Sequence, residues 1–563
     1  MAVDVEALIK NYERCRDKKR NWEPFVAQIL DYICPRKTSR MAGRRSQGIK
    51  QTDRQFDSAG EDAGVKLASS MGGTLTSSAQ KWFGLVPRAT ELRNDQSVME
   101  WLEECADRMY AAFNNQPSNF HSEINEVYLD LVYIGTGAIL MEEATTTSPG
   151  IFGGFRFRAL DFSEYCIEED AFGKVNTLYR EFEMTYQAAY DRWGDAIGHD
   201  AVLAVAEKPY DMCTFVHAVY PRRSYNRRKM NNQNMPFVSC YVIPRGKVVV
   251  AEGGFREFPY AVPRWSKSAG EIYGRGPGHR AYPDVRSQNR LVELELEAGS
   301  KAVDPPLLQM HEGIMGDTTL NPAGINYVDP SLAGGNVRNV LAPLESASRF
   351  DWSESRIERL EKKIRQAFFN DHLIIPDKPD MTATEFAGRQ EIMQRMIGPT
   401  MGRLQFELLS IIVDRGFNLM LRASALPPAP PALARYAGAD IDITFEGPLA
   451  RAQRSHDLIA IQRKNDWVIG QVQIGNTNVV DLFDYDTEGR ELAQLTGVPA
   501  NIVRDPRAVA AIRDERARSA KQSAAAAQLG QMAESMGKAA PALKQMPQTA
   551  QTMDQALAGG QRG

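Results

Sequence analysis

Two helical runs on either side of a stretch without helical signal constrain the fold of this chain most. The runs cover residues 278–303 and 351–370, and both contain strong helix formers. In the second run, apolar residues recur at heptad-like spacing: Ile357, Leu360, Ile364 and Phe368. Residues 304–350 between the runs are rich in Pro, Gly and Asn, which predicts a small β-containing insertion. The simplest geometry is an antiparallel pair of helices of about 17–21 residues each, with a small domain at its tip.

Local signals within the two runs support helices over strands. Residues 292–297 alternate strictly between apolar residues and Glu, which would suit a strand, but Leu, Glu and Ala favour helix and continue a helical segment. Asp351 or Ser353 is placed to cap the second helix. Two favourable i,i+4 ion pairs are expected on that helix, Glu358–Lys362 and Glu361–Arg365.

The chain before the helix pair combines helices with a β region. Four helices are predicted, and the second of them is expected to end at the Gly72-Gly73 break: Val5–Ile33, Ser58–Ser70, Gln96–Asn114 and Phe120–Gly135. From Gly137 to Phe258, short alternating runs separated by turn residues predict antiparallel strands. A helical insert is expected near Thr185–Trp193, where Thr185 looks like a helix start.

Helices also dominate the predicted C-terminal part. Thr382–Glu385 fits a capping box that starts a long helix ending at Leu421. Asp440–Glu446 alternates like a strand, and helices resume from Leu449 to about Met536. The last stretch is Ala/Gln-rich without aromatic residues and is expected to be partly disordered. The fold class that follows is α+β, predominantly helical.

Composition limits the kinds of protein this chain can be. At 563 residues it is too long for a single core, and 67 basic against 71 acidic residues argue against extensive DNA wrapping. Six scattered cysteines without partners at zinc-ligand spacing are expected to be free thiols in a reduced, cytosolic chain. Neither a signal peptide nor a transmembrane run is found, so synthesis in a host cytoplasm and no membrane partner are expected.

Motifs for catalysis are missing. The phosphate-binding loop GxxxxGK[ST] is absent, since Gly173-Lys174 and Gly246-Lys247 are each followed by Val, and an ATPase built on that loop is therefore not expected. The signatures GxSxG and HExxH are absent, and seven scattered histidines predict no metal site. The glycine-rich run 274–278 is interrupted by Pro277 and is interpreted as a flexible turn. No catalytic residue, metal or cofactor is therefore expected, although an acid/base pair from distant positions stays open.

Seven short stretches, in this order, resemble the portal proteins of T7-like short-tailed bacteriophages (podoviruses), the head-to-tail connecting family. They lie at residues 118–120, 133–137, 264–265, 273–277, 304–307, 381–385 and 447–453. Each is weak alone, and their shared order is specific. The resemblance covers roughly residues 5–460, so the region beyond is assigned by position only.

The resemblance implies a portal fold assembled as a dodecameric ring with wing, stem, clip and crown regions. The implied boundaries are a wing of residues 1–277 and 382–449, stem helices 278–303 and 351–370, a clip of 304–350, a tunnel loop of 371–381, a crown of 450–520 and a tail of 521–563. Such a ring occupies one capsid vertex of the virion, at the head-tail junction. Double-stranded DNA passes through it without sequence specificity during packaging and ejection.

The implied partners are other virion and packaging proteins. They are the terminase large subunit, tail adaptor and nozzle proteins, and the major capsid and scaffolding proteins. Two other functions stay open: a different structural virion protein, such as a tail nozzle or internal core protein, and, less favoured, a packaging-associated nuclease.

Charged side chains supply the candidate functional residues. Six of them would form a basic belt near the wing end of the stem, facing DNA phosphates or acidic neighbours: Arg280, Arg286, Arg290, Lys362, Lys363 and Arg365. A solvated face with local ion pairs is an equally acceptable interpretation of this belt. In the same antiparallel pair, Arg356 and Arg359 are expected level with Glu293, Glu295 and Glu297, whose charges oppose the helix dipole.

Two loops add further charged candidates. The tunnel-loop candidates are Asp371, His372, Asp377, Lys378 and Asp380, and their mostly acidic charge suits sliding DNA; an ordinary surface loop is the alternative. A basic run at residues 222–229 is expected at a solvated hairpin tip, with contact to nucleic acid, scaffold or capsid protein less favoured.

Overall fold

The fold was analysed in a computed structural model of the chain. It describes residues 4–543 except for 38–53, 94, 145–151, 226–230, 232–233, 306, 310–326, 328–340, 344–349, 371–397, 436–440, 446–447, 497, 499–501 and 505. The arrangement is α+β and mainly helical, in agreement with the predicted class.

The N-terminal region contains two helices where one was predicted. Helix α1 (Val5–Lys19) is capped by Asp4, whose carboxylate accepts from the backbone of Glu6 and Ala7, and α2 is Trp22–Ile33. The prediction of one uninterrupted helix was wrong because the chain breaks at Arg20-Asn21. The break lets the two helices bury different faces.

Helix α3 (Ala59–Leu75) continues through the glycine pair that was expected to end it. A Cβ on Gly64 would overlap the ring of Tyr133, and one on Gly72 would contact the ring of Tyr128. Gly64 therefore permits close packing on α6 (Phe120–Tyr133), and the Gly72-Gly73 pair does not break the helix. The predicted helix Gln96–Asn114 is confirmed as α5, after the short α4 (Thr90–Arg93).

The predicted β region is confirmed as antiparallel. A three-stranded sheet has the order β3-β2-β9, formed by Ile139–Glu143 (β2), Phe155–Ala159 (β3) and Tyr260–Ala261 (β9). A five-stranded sheet runs β4-β5-β6-β7-β8, formed in that order by Tyr165–Glu169, Val175–Thr185, Met212–Pro221, Phe237–Ile243 and Val248–Phe255. Every pairing within these two sheets is antiparallel.

Helices cover the five-stranded sheet. Leu8, Tyr12 and Cys15 of α1 pack on one group of strand residues, while the predicted insert α7 (Tyr186–Trp193) packs on another. Thr185 caps α7 by accepting from the backbone of Ala188, as predicted. A further helix, α8 (His199–Glu207), was not predicted. All six cysteines are free and buried, which confirms the expected free thiols.

The two helices that flank the insertion are present and antiparallel. Helix α9 (Pro277–Val303) has 27 residues and α10 (Phe350–Ala367) has 18. Their bounds agree with the predicted runs 278–303 and 351–370 to within three residues. At 1.5 Å per residue the first helix is about 40 Å long, longer than the estimate of 17–21 residues allowed. Because α10 starts at Phe350, neither Asp351 nor Ser353 is its N-cap, contrary to the prediction. Part of the insertion is described: β10 (Leu307–Gln309) pairs antiparallel with β11 (Leu341–Pro343).

The second long helical segment contains a π-helical turn. Helical residues 398–404 lead into the π-turn Gln405–Leu409, and α11 (Ser410–Arg422) follows.

Beyond the short α12 (Pro431–Arg435), the predicted strand is confirmed as β12 (Ile441–Phe445). It pairs antiparallel with β1 (Phe83–Pro87), which was not predicted. The capping box at 382–385 lies outside the described residues.

The chain divides into two compact units, each with its own contacts. The first comprises Met1–Arg88, Trp101–Pro430 and Ala437–Asp457. The second comprises Ala89–Glu100, Pro431–Tyr436 and Leu458–Gly563. Within the described chain, no helix combines the length and the hydropathy needed to cross a membrane.

The second unit is built mainly from helices, as predicted. It takes the larger part of α13 (Pro448–Gln473), and α14 (Tyr485–Thr496) and α15 (Pro506–Leu543) follow. Helix α15 extends past the predicted end at Met536. Ion pairs from Lys464 and Arg513 to Glu488 and Asp486 tie three of its helices together.

Candidate functional site: the helix pair and the junction at its base

The helix pair of α9 and α10 buries one apolar face and exposes most of its charges. Leu360 and Ile364 of α10 are buried, as are Ala281 and Val285 of α9. At the other end of the pair, the Ser353 hydroxyl donates to Glu295 Oε1 over 3.2 Å. That contact sets the register: a residue ten positions further along α10 lies level with a residue ten positions earlier on α9.

This register places the six predicted belt residues at one end of the helix pair. All six are exposed. Arg290 pairs with Glu293 on its own helix at 2.7 Å, and Arg365 pairs with Glu361 on its own helix. In the described part of the chain no carboxylate lies within ion-pair distance of the other four, which are Arg280, Arg286, Lys362 and Lys363. Two of the six belt residues therefore form ion pairs within their own helix, and the other four can interact with a partner outside the described chain.

Some charge contacts expected within the pair do not form. Glu361–Arg365 is present, but Glu358 and Lys362, both described, form no ion pair, so that prediction was wrong. The Ser353–Glu295 contact places Arg356 level with about Val292, next to Glu293, and Arg359 level with about Asn289, outside the run of glutamates. Neither Arg356 nor Arg359 forms an ion pair with a glutamate of α9. Instead, Glu293 forms an ion pair with Arg290, and Glu295 accepts a hydrogen bond from Ser353.

Below the helix pair, two glycine-containing stretches pack backbone against backbone. A Cβ on Gly276 would overlap the carbonyl oxygen of Leu131, and one on Gly278 would lie 2.9 Å from the Cα of Tyr133. Gly135 has φ of +86°, and a Cβ there would overlap Gly276. Residues 274–278 were predicted to form a flexible turn. They form a tightly packed connection that leads directly into α9.

Arg264 lies at the centre of this junction and is 2% exposed. Its Nη2 donates to Glu407 Oε1 at 2.7 Å and to the carbonyl of Gly173 at 2.8 Å, and its Nε donates to Glu407 Oε2 at 3.1 Å. Nη1 lies 3.0 Å from Glu169 Oε1, a carboxylate that also pairs with Lys267. One guanidinium thus joins the five-stranded sheet to the π-turn that contains Glu407.

Trp265 contacts both the junction and the residues that follow the C-terminal end of α10. Its backbone N–H donates to Gly135 O at 2.9 Å, and its ring centroid lies 6.3 Å from that of Phe369. Phe369 has a left-handed φ of +59°, which turns the chain just after the helix. The five tunnel-loop candidates, Asp371, His372, Asp377, Lys378 and Asp380, lie outside the described residues.

His279, in the first turn of α9, sits among aromatic rings. Its ring lies 5.1 Å from that of Phe25 and 6.2 Å from that of Trp22. Burial, with a smaller contribution from Arg275, lowers the pKa of His279 to about 4. A neutral histidine at this helix start avoids a repulsive contact with the positive end of the helix dipole.

Sequence reasoning singled out Arg264-Trp265 but missed their partners. The sequence motif Arg264-Trp265 identified only the arginine of this contact. Its carboxylate partners Glu407 and Glu169 lie 143 and 95 positions away along the chain. Of the basic run at residues 222–229, Arg222 and Arg223 follow β6, whereas Arg227, Arg228 and Lys229 lie outside the described residues. However, Arg222 is not fully solvated and lies 3.5 Å from Glu252. Among described residues, no group of three or more His, Cys, Asp or Glu side chains is placed to hold a metal ion.

Comparisons with known proteins match this sequence along most of its length. The family described as "Bacteriophage head to tail connecting protein" matches residues 5–503. The "Probable portal protein" of Bordetella phage BPP-1 is 28% identical over 545 residues, 95% of each chain. The "Portal protein" of Salmonella phage epsilon15 is 25% identical over 539 residues, 94% of each chain.

A solved structure was also matched, titled "Neck of empty GTA particle computed with C6 symmetry". The identity is 13%, with a TM-score of 0.34, over 78% of this chain and 97% of that chain. A TM-score this low does not establish a shared fold.

Proposed function

This chain belongs to the bacteriophage head to tail connecting protein family, and from that premise we propose that it is the portal protein of a short-tailed phage. The extent of the similarity carries the proposal: two portal proteins align with about 95% and 94% of the chain. An alignment of that length includes the helix pair, the junction and the three- and five-stranded sheets. The chain's place is in the virion, at the junction between head and tail.

The proposed working form is a ring of twelve copies at one capsid vertex, with DNA passing through its centre in packaging and in ejection. A two-helix stalk leaves exposed sides that neighbouring copies can cover, and repeated heterologous contacts close a ring. The role is structural and not catalytic. The ring receives the terminase large subunit first and tail adaptor or nozzle proteins later, and it contacts major capsid and scaffolding proteins.

The regions keep their predicted roles within this proposal. The helix pair is the stem, the insertion 304–350 is the clip at the motor side, and residues 450–520 form the crown. Residues 371–381 are the tunnel loop, with Asp371, His372, Asp377, Lys378 and Asp380 as channel candidates. Support comes from the order of the matching stretches along the sequence and from the ring contact between Trp265 and Phe369, which lies just before this loop.

The belt residues give the stem a weak attraction for DNA. Phosphate contacts dominate DNA affinity and depend on salt, so a continuous cationic wall would slow a moving duplex. In this stem, Arg290 and Arg365 are paired with glutamates of their own helices. The charge that remains is compatible with passage of DNA and with little sequence dependence.

The decisive experiment is electron microscopy of the purified protein combined with mass measurement. Rings of twelve with an axial hole of at least duplex width are the expected result. A different ring or tube that attaches to tails would favour a tail nozzle or internal core protein. A monomer or dimer at high concentration would contradict the portal assignment, and metal-dependent cleavage of DNA by that material would favour a nuclease.

A further inference from the structure

Helix α10 carries opposite charges on its two exposed flanks. Its buried face is formed by Leu360, Ile364 and Ala367. Successive residues of an α-helix are rotated by about 100° around its axis, so residues at i, i+3 and i+7 lie along one side. On one side of the buried face these residues are basic: Arg356, Arg359 and Lys363. The other flank is acidic at i, i+4 and i+7: Glu354, Glu358 and Glu361. We call these flanks the basic stripe and the acidic stripe.

Contacts within the described chain leave most of these charges without a partner. Glu361 pairs with Arg365, the next residue along its own flank. The other five stripe residues are exposed, and none has an oppositely charged side chain within ion-pair distance in the described part of the chain. The first helix of the pair covers the apolar face and leaves both stripes open.

We infer that the basic stripe of one copy contacts the acidic stripe of the same helix in the next copy. This inference rests on the ring proposed above and names the surface that would close it. A heterologous contact needs two different, mutually complementary surfaces on each copy. Helix α10 presents such surfaces on opposite sides, so every copy can bind one neighbour on each flank.

The heights of the charges along the helix agree with this contact. In a ring whose axis follows the helices, all copies of α10 lie at the same level. Glu354 then faces Arg356, Glu358 faces Arg359, and Glu361 faces Lys363. These partners differ by one or two positions, or about 1.5–3 Å along the helix. Long Arg, Lys and Glu side chains span such an offset easily.

A second copy fits these stripes better than DNA does. A duplex carries only negative charge and would be repelled by the acidic stripe. Only a surface with both signs complements both flanks at once, and α10 itself is such a surface. Lys362 lies between the stripes, opposite the buried face, and is left uncovered by the contact.

Charge reversal of the full-length protein tests the contact. The first variant, R356E/R359E/K363E, has two acidic flanks, and the second, E354K/E358K/E361K, has two basic flanks. Each variant alone should need at least about ten-fold more protein than the wild type to form rings, because like charges now meet. An equimolar mixture should form rings of alternating copies near the wild-type concentration. Mass photometry and electron microscopy measure both effects.

The control is K362E, a reversal on the same helix outside both stripes, which should assemble like the wild type. Circular dichroism and a thermal melt verify that each variant folds. Normal assembly of both triple variants, or folded variants whose mixture does not assemble, would overturn the contact between stripes. If the wild type itself forms no rings, the proposed portal function fails, and the inference fails with it.

Discussion

Arg264 is buried yet has a polar partner at every guanidinium nitrogen. Glu407 supplies two of those contacts, so the substitution E407Q should leave a buried cation with one carboxylate fewer. Removal of one partner from a buried ion pair costs on the order of 3 kcal/mol. A lower apparent melting temperature of the purified protein would show this loss.

The neighbouring residue Phe406 provides the control for that measurement. Its side chain is 67% exposed, so F406A should change the melting temperature little. Equal effects of the two substitutions would show that the π-turn, and not the ion pair, determines stability at this place.

His217 makes the fold sensitive to acid. It is buried between the Tyr260 hydroxyl at 2.8 Å and the Ser239 hydroxyl at 2.9 Å, and its ring stacks on Tyr241. Burial, followed by the charges of Arg180 and Arg192, lowers its pKa to about 3. The unfolded chain takes up a proton near pH 6.5 and the folded chain does not. Stability is therefore present above pH 6.5 and falls by roughly 1.4 kcal/mol per pH unit as the pH drops towards 3.

The substitution H217Q should reduce this dependence. Denaturant unfolding between pH 7 and pH 4 should give a shallower loss of stability than in the wild type, even if H217Q is less stable at pH 7. The exposed His199 is the control, since H199Q should leave the slope unchanged. A slope in H217Q equal to that of the wild type would show that His217 is protonated in the folded protein.

At the level of elements, the start of α9 depends on a backbone contact that only glycine allows. A Cβ at Gly278 would lie 2.9 Å from the Cα of Tyr133, whereas nothing lies within 4 Å of a Cβ at Gly299 on the same helix. G278A should therefore destabilise the protein by about 1–3 kcal/mol through overpacking. G299A should stabilise it by about 0.5–1 kcal/mol, because glycine is a poor residue inside a helix. Opposite shifts in melting temperature are expected, and a stabilising G278A would contradict the packing of α9 on α6.

Periodicity predicted the elements whose burial pattern repeats along the chain. Helix Gln96–Asn114, the antiparallel strands and the helix pair all have such a pattern. Glycine was the main source of error, because the sequence alone does not distinguish a glycine pair that ends a helix from one that the helix passes through, as at Gly72-Gly73. Strand β1 was missed because its partner β12 lies more than 350 residues away.

The candidate site was predictable only in part, for a related reason. Exposed charges on a known helix face follow from the sequence, so all six belt residues were placed on the helix pair correctly. The partners of Arg264 come from β4 and from the π-turn, and no local pattern connects them. The predicted ion pair Glu358–Lys362 does not form. Exposed ion pairs contribute little to stability, so their formation depends on local side-chain geometry that the sequence does not determine.

At the level of the whole molecule, the two kinds of basic residue on α10 should separate assembly from DNA passage. If neighbours cover both stripes, Lys362 remains on the face opposite α9 and is the belt lysine of α10 that can contact DNA. K362A should then assemble normally but lower the salt sensitivity of in vitro packaging, because a lost phosphate contact removes one salt-dependent attraction between the protein and the DNA. Packaging rates at 50 and 200 mM salt measure this. The control is K301A, an exposed lysine at the opposite end of the stem. Unchanged rate and salt response in K362A would mean that Lys362 is solvated and does not contact the passing duplex.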